Sequence, residues 1–180
     1  MANIYDVANF FIDVAMHGKD DLITNLKLNK LLYYAQGCYL ARTGHSLFTD
    51  EIEAWPLGPV VPAIYQKYKV CASSPIQSID EDYSFAKFTP EEKAALLDVM
   101  CEFGRFTGSE LVSLTHRAGT PWSDTKESGK NVIDNELIKA YFTANPVPTT
   151  DEALSHIPVV EKLPADWYDP EEDKIWEAYK

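Results

Sequence analysis

The sequence lacks what a nucleic-acid binder, a membrane-spanning protein or a metal-dependent enzyme needs. Basic residues are scarce: sixteen Lys and Arg stand against twenty-eight Asp and Glu, for a net charge of −12 at pH 7. A phosphate backbone is repelled by such a chain unless cations gather locally, and no basic cluster does so. No stretch approaches the roughly 18 consecutive apolar residues of a membrane helix. The first apolar stretch carries Asp6 and Asp13 and has no basic start, unlike a secretory signal. A soluble, cytoplasmic protein with no membrane partner and no direct DNA binding is expected. Cysteine is rare and odd in number. Cys38, Cys71 and Cys101 are too dispersed for a disulfide framework or a Cys-x-x-Cys motif, and read as reduced, packed thiols.

Catalytic signatures are equally thin. His17, His45, His116 and His156 form no pair at ligand spacing, and there is no nucleophile elbow, P-loop or dinucleotide fingerprint. A Cys38–His45 nucleophile pair is weighed against a small buried thiol and a histidine at a helix end, and the second reading is preferred. The paired acids Asp20-Asp21 and Glu91-Glu92 suit the first turn of a helix, where its dipole favours negative charge. No enzyme, cofactor or metal is expected.

What is present is a core. With 180 residues, 46% of them apolar, the chain fills one domain of ordinary size, or one domain and a tail. Ile4, Val7, Ala8, Phe11, Ile12 and Ala15 recur at helical spacing and predict a first helix over Ile4 to His17, stopped by Gly18. A second helix is predicted from Thr24 to Arg42. Its inner stripe is Leu28, Leu31, Leu32, Ala35, Tyr39 and Leu40, and Gly44 lies beyond its end. Phe48 to Trp55 alternates and reads as a short strand, ended by a turn at Pro56, Gly58 and Pro59. Pro59 or Pro62 begins a third helix reaching about Tyr68. The stretch 71–88 is loop, with a second strand expected over Tyr83 to Phe88.

Thr89-Pro90-Glu91-Glu92 is a complete capping box for a helix ending at Gly104. Thr107-Gly108-Ser109-Glu110 repeats the logic before Leu111, Val112 and Leu114, and a last core helix starts at Asp134 and carries Leu137, Ile138, Tyr141 and Phe142. The fold class is therefore mainly α: a compact helical domain over 1–144 with a small antiparallel β element. From Asn145 the composition shifts. The segment 145–180 holds five of the eleven prolines, with nine acids against three bases, and reads as an extended, Pro-rich acidic C-terminal arm ending in a short aromatic helix begun at Asp169.

Aromatic residues make up 12% of the chain, and Tyr and Trp are favoured at interface hot spots because each joins a large apolar area to a polar handle. Candidate partner-binding residues are Trp167, Tyr168, Trp176 and Tyr179 on the arm, with Glu171, Glu172 and Asp173 between them, and Tyr65 and Tyr68 on the body. Tyr33 and Tyr34 lie about 100° apart on a helix, so one is expected in the core and the other at its boundary. The run Trp55-Pro56-Leu57-Gly58-Pro59 fixes its own backbone. It reads equally as a rigid turn or as a preformed recognition platform that loses little entropy on binding.

The order of these motifs resembles a known family. Leu28 to Gln36, with Lys30, Leu31, Tyr33, Tyr34 and Gln36, is followed by Trp55, Pro56, Gly58, Pro59, Val60 and Tyr65, then by Thr115-His116 and Pro121-Trp122. Together they resemble the Panacea domain of SocA-like antitoxins and the related phage-associated, often prophage-encoded GepA proteins. The resemblance implies a helical antitoxin whose partner is a cognate toxin, with a ClpXP-type protease as a further partner if it works as an adaptor. It also implies that these motif residues hold the common fold, so that toxin specificity lies on variable surfaces such as the arm. Some members carry an added helix-turn-helix segment, for which this chain has no spare length. An alternative from another class is a phage-encoded acidic inhibitor of a host nucleic-acid-binding protein.

Overall fold

The computed structural model describes residues 1–18 and 23–150. It is organised around one enclosed helix. Helix α1 (Ile4–His17) and helix α2 (Asn25–Thr43) open the fold. A hairpin of β1 (Glu53–Trp55) and β2 (Gly58–Val60) follows, and then come α3 (Pro62–Tyr68), α4 (Pro90–Phe103), α5 (Gly108–Thr115), α6 (Pro121–Glu127) and α7 (Asn135–Ala144). Helices α1, α3, α4, α5 and α7 and strand β2 all pack on α2. Among the described residues no helix is long and apolar enough to cross a membrane.

The predicted faces of α1 are the buried ones, joined by Asn9 and Phe10. Asn9 exchanges two hydrogen bonds with Asp80, which also accepts from Lys67 of α3, so the loop before α4 is pinned to both helices. Capping boxes start α4 at Thr89 and Glu92 and α5 at Thr107 and Glu110, as the sequence predicts. Asp134 caps α7.

Helix α2 differs from its predicted stripe. Tyr39 is only half-buried, while buried residues occupy every face along most of the helix. Five of them are polar or charged, namely Asn25, Lys27, Asn29, Lys30 and Gln36, and each hydrogen-bonds to backbone of another segment or to a buried neighbour, as buried polar groups must to offset their lost hydration. Gln36 accepts from the Leu47 and Phe48 amides at 3.0 and 3.2 Å and donates to the Phe48 carbonyl. Asn29 accepts from the Val61 amide at 2.9 Å, Lys30 donates to the Pro59 carbonyl at 3.0 Å, and Lys27 donates to the Gly104 carbonyl. The same enclosure corrects the expectation for the tyrosine pair. Both Tyr33 and Tyr34 are buried, at 1% and 6% exposure. Tyr34 stacks on Phe103 of α4 at 3.8 Å, and both rings meet Phe142 of α7 edge-on.

Three further expectations are corrected. No strand forms over Tyr83 to Phe88, where a single 3₁₀ turn spans Phe85–Lys87. The second strand is instead Gly58–Val60, in the segment read as a turn: Pro56 and Leu57 alone make the reversal, and Trp55 pairs with Gly58, Ala54 with Pro59 and Glu53 with Val60. Helix α6 was not predicted, although Thr120-Pro121 carries both a cap and a proline at the first helical position, with Ser123 closing a capping box. Of the three free thiols only Cys38 is buried, Cys71 being half-buried and Cys101 exposed.

After α7 the chain stays on the body as far as Thr150. Val147 is buried, its carbonyl accepts from Arg42 at 3.0 Å, and Asp98 accepts from Arg42 and from the Thr150 amide, each at 2.6 Å.

Helices α2 and α7 approach so closely at Gly37 that an added Cβ would fall inside the Phe142 ring, which is 2% exposed and has no room to retreat. Gly37→Ala should therefore destabilise the protein by about 1–3 kcal/mol through overpacking. Chemical denaturation at matched m-values checks this, and an unchanged midpoint would show that the interface can expand.

Candidate functional site

The motif residues scattered along the sequence converge around the hairpin. Pro56 sets its own backbone angle at the first turn position, and Gly58 follows at φ +98°, a conformation costly for any residue with a Cβ. A second constraint reinforces the first. A Cβ on Gly58 would lie 2.6 Å from Lys30 Cε and 2.8 Å from Thr115 Oγ1, so the strand presses flat against α2 and the end of α5. Asn29 and Lys30, adjacent on α2, grip Val61 and Pro59 from below.

The other side of the hairpin is held by the α5–α6 connection. The Thr120 hydroxyl donates to the Thr115 carbonyl at 2.7 Å and closes the loop. His116 then lies parallel on Trp122, with centroids 3.7 Å apart and planes 6° apart. Trp122 Nε1 donates to the Trp55 carbonyl at 2.8 Å, and Trp55 Nε1 donates to Glu53 Oε2 at 2.6 Å. Tyr65 of α3 meets the Trp55 ring edge-on at 4.8 Å.

Beside this clamp lies an open cleft of about 350 Å³. Trp55, Pro56 and Leu57 of the hairpin form one wall, and Leu26 of α2 and Tyr65 of α3 face it. Asn25, Asn29 and Lys30 contribute polar groups, and Lys69 and Ala72 lie at the α3 end. Leu57 is 59% exposed and Tyr65 36%, whereas Tyr68, the other body residue considered for partner binding, is buried at 6%. Leu26, Leu57, Lys69 and Ala72 were not singled out from sequence. For Leu57 a signal existed: an apolar residue at a two-residue turn apex has no core to enter.

Lys30 is the unusual group here. It is 0% exposed, donates to one backbone carbonyl, and has no carboxylate within ion-pair distance among the described residues. Burial alone draws its amine from its ordinary 10.5 down to about 7. Burial, then the Lys30 charge, lowers the His116 imidazole below its usual value. Cys38 and His45 form no nucleophile pair: burial pushes the thiol up to about 11, opposite to the shift an activated thiolate needs, and His45 is exposed. Glu91 and Glu92 open α4, with Glu92 in its capping box. Among the described residues no group of three His, Cys, Asp or Glu is placed to hold a metal ion. The acid pair Asp20-Asp21 and the arm candidates Trp167, Tyr168, Glu171, Glu172, Asp173, Trp176 and Tyr179 lie outside the described residues.

Comparison with known proteins adds the family. The family model described as "Antitoxin SocA-like, Panacea domain" matches residues 28–123, the span running from the start of the α2 motif to just beyond Trp122. The chain is 33% identical over 125 residues to "Antitoxin SocA" of Caulobacter vibrioides (strain NA1000 / CB15N), an alignment covering 64% of this chain and 66% of that protein, just under two thirds of its length. No solved structure matches.

The lowered Lys30 amine makes stability depend on pH. From about pH 7 to roughly 10 the unfolded chain keeps a proton that the folded chain has released, so this group makes stability rise with pH. Below about pH 7 both states hold the proton and its contribution is flat. The unfolding free energy of the native protein relative to Lys30→Met should climb between pH 7 and 9 and stay level below pH 6.5. A difference unchanged across that upper range would mean that the buried amine keeps its charge.

Proposed function

The chain belongs to the SocA-like antitoxin family through its Panacea domain, and from that premise we propose that it is an antitoxin that neutralises a cognate toxin protein by binding it directly. The observation that carries this reading is the family match over residues 28–123. The geometry of the matched segment suits a binding role: the motif residues brace a rigid hairpin beside an open cleft. On the family match we assign the protein a non-enzymatic role in the cytoplasm, where a toxin made in the same cell would be met.

Toxin contacts are assigned on sequence grounds to the acidic segment 145–180, with Trp167, Tyr168, Trp176 and Tyr179 as anchors and Glu171, Glu172 and Asp173 as charge partners for a basic patch on the toxin. Tyr65 extends this set onto the body. Charge complementarity of this kind raises the association rate more than the affinity, while the aromatic anchors slow dissociation.

Co-expression of the tagged chain with the protein encoded by the adjacent gene tests the proposal. The pair should copurify and growth should recover. Recovery without a complex, with the toxin vanishing unless a ClpXP-type protease is deleted, would replace direct neutralisation with adaptor-driven degradation. Failure to recover growth at all would sink the antitoxin reading.

A further inference from the structure

We propose that the cleft between the hairpin tip and α3 is a docking site for an acidic, apolar segment of the toxin, in which an apolar side chain enters between Leu26, Trp55 and Tyr65 and a neighbouring carboxylate meets Lys69 at the rim. The proposal rests on the antitoxin reading and names a face of the body that this reading leaves open.

Charge is the first argument. The chain carries twelve more acids than bases, yet no Asp or Glu lines this cleft; its solvent-facing charge is the Lys69 cation at the rim, and the other basic residue, Lys30, is a buried amine in its floor. Neither has a carboxylate within ion-pair distance among the described residues. Lys30 donates to a backbone carbonyl and Lys69 to the Gln66 side-chain carbonyl at 2.8 Å. Glu53 lies nearby, but its carboxylate is engaged by the Trp55 indole and it does not line the cleft. A locally cationic, apolar-walled site on an acidic protein selects an occupant of opposite character and repels most other surfaces.

Rigidity is the second. The Trp55 wall is fixed from behind by Trp122 and Glu53, and the turn by Pro56 and by Gly58 against Lys30 and Thr115. A partner side chain would therefore meet a formed surface and avoid part of the ordering cost of binding. Strain is stored at the mouth as well. Ala72, at φ 50° and ψ −117°, is the one non-glycine residue with positive φ among the described residues, a conformer that persists only where the surrounding structure imposes it.

The third argument favours a macromolecule over a small ligand. The apolar surface does not stop at the cleft: Leu57 projects at 59% exposure, and Val70, next in the chain to Lys69, is 86% exposed. A small molecule would leave both in water. A protein segment laid across the mouth would cover them around a buried anchor, the usual anatomy of an interface.

The test uses Leu57→Asp and Lys69→Glu in the full chain, both at exposed positions that leave the core intact, with Leu97→Asp on α4 (46% exposed, outside the cleft) as control. The probe is the toxin encoded by the adjacent gene. Titration calorimetry should show each cleft variant losing affinity by about tenfold or more, and growth rescue weakening in parallel. Leu97→Asp should bind as the native chain does, and thermal midpoints should agree. Native chain that binds toxin while both cleft variants bind equally well would overturn the docking site and leave the antitoxin reading standing. Native chain that neither binds toxin nor rescues growth would overturn both. Variants that bind toxin normally but break up a homodimer, or release a small molecule seen by native mass spectrometry, would reassign the cleft to that occupant.

Discussion

The fold depends on burying a helix that is not wholly apolar. An ordinary surface helix keeps its polar face in water, and its neighbours cover the remaining stripe. Helix α2 has no such face along most of its length, so Lys27, Asn29, Lys30 and Gln36 had to find partners within the protein. They find them in the backbone of other segments: the 47–48 loop, the second hairpin strand, the start of α3 and the end of α4. One element thus satisfies its own polar groups and fixes the irregular backbone around it. The cost of dehydration becomes a means of positioning.

That arrangement explains which parts of the structure could be read from sequence. Terminal signals are local chemistry, and the starts of α4, α5 and α7 followed from Thr89, Thr107 and Asp134 without knowledge of the tertiary structure. The second strand of the hairpin did not, because Trp55 to Val60 carries no alternating pattern. Its pairing is imposed by Lys30 and Thr115 pressing on Gly58, contacts made from distant parts of the chain. The tyrosine pair, read as one core and one boundary residue, was misjudged for the same reason: a stripe analysis assumes a helix with one dry side, and α2 has neighbours on several sides. Helix α6 is short, with a cap where the sequence reading looked only for a motif.

The candidate site was half legible. Trp55, Pro56, Gly58, Tyr65 and Trp122 stood out as residue types with few bland uses, and the structure gathers them. Their joint geometry was not visible. Lys30 in particular stood in the sequence as one motif residue among several, with nothing to mark its environment, and only enclosure by β2 and α5 makes it a dry amine with a lowered proton affinity.

The squeeze at Gly58 also bears on how the protein can diverge. Gly58, Lys30 and Thr115 fill one small volume, so a change at any of the three demands compensation from the other two. Leu57, one residue away, touches solvent and answers to no such bargain. Constrained and free positions therefore alternate within a single turn. A lineage, or a laboratory library, can rewrite what the tip presents while the scaffold beneath it stays unaltered, and new recognition can be explored without first spending stability to reach it.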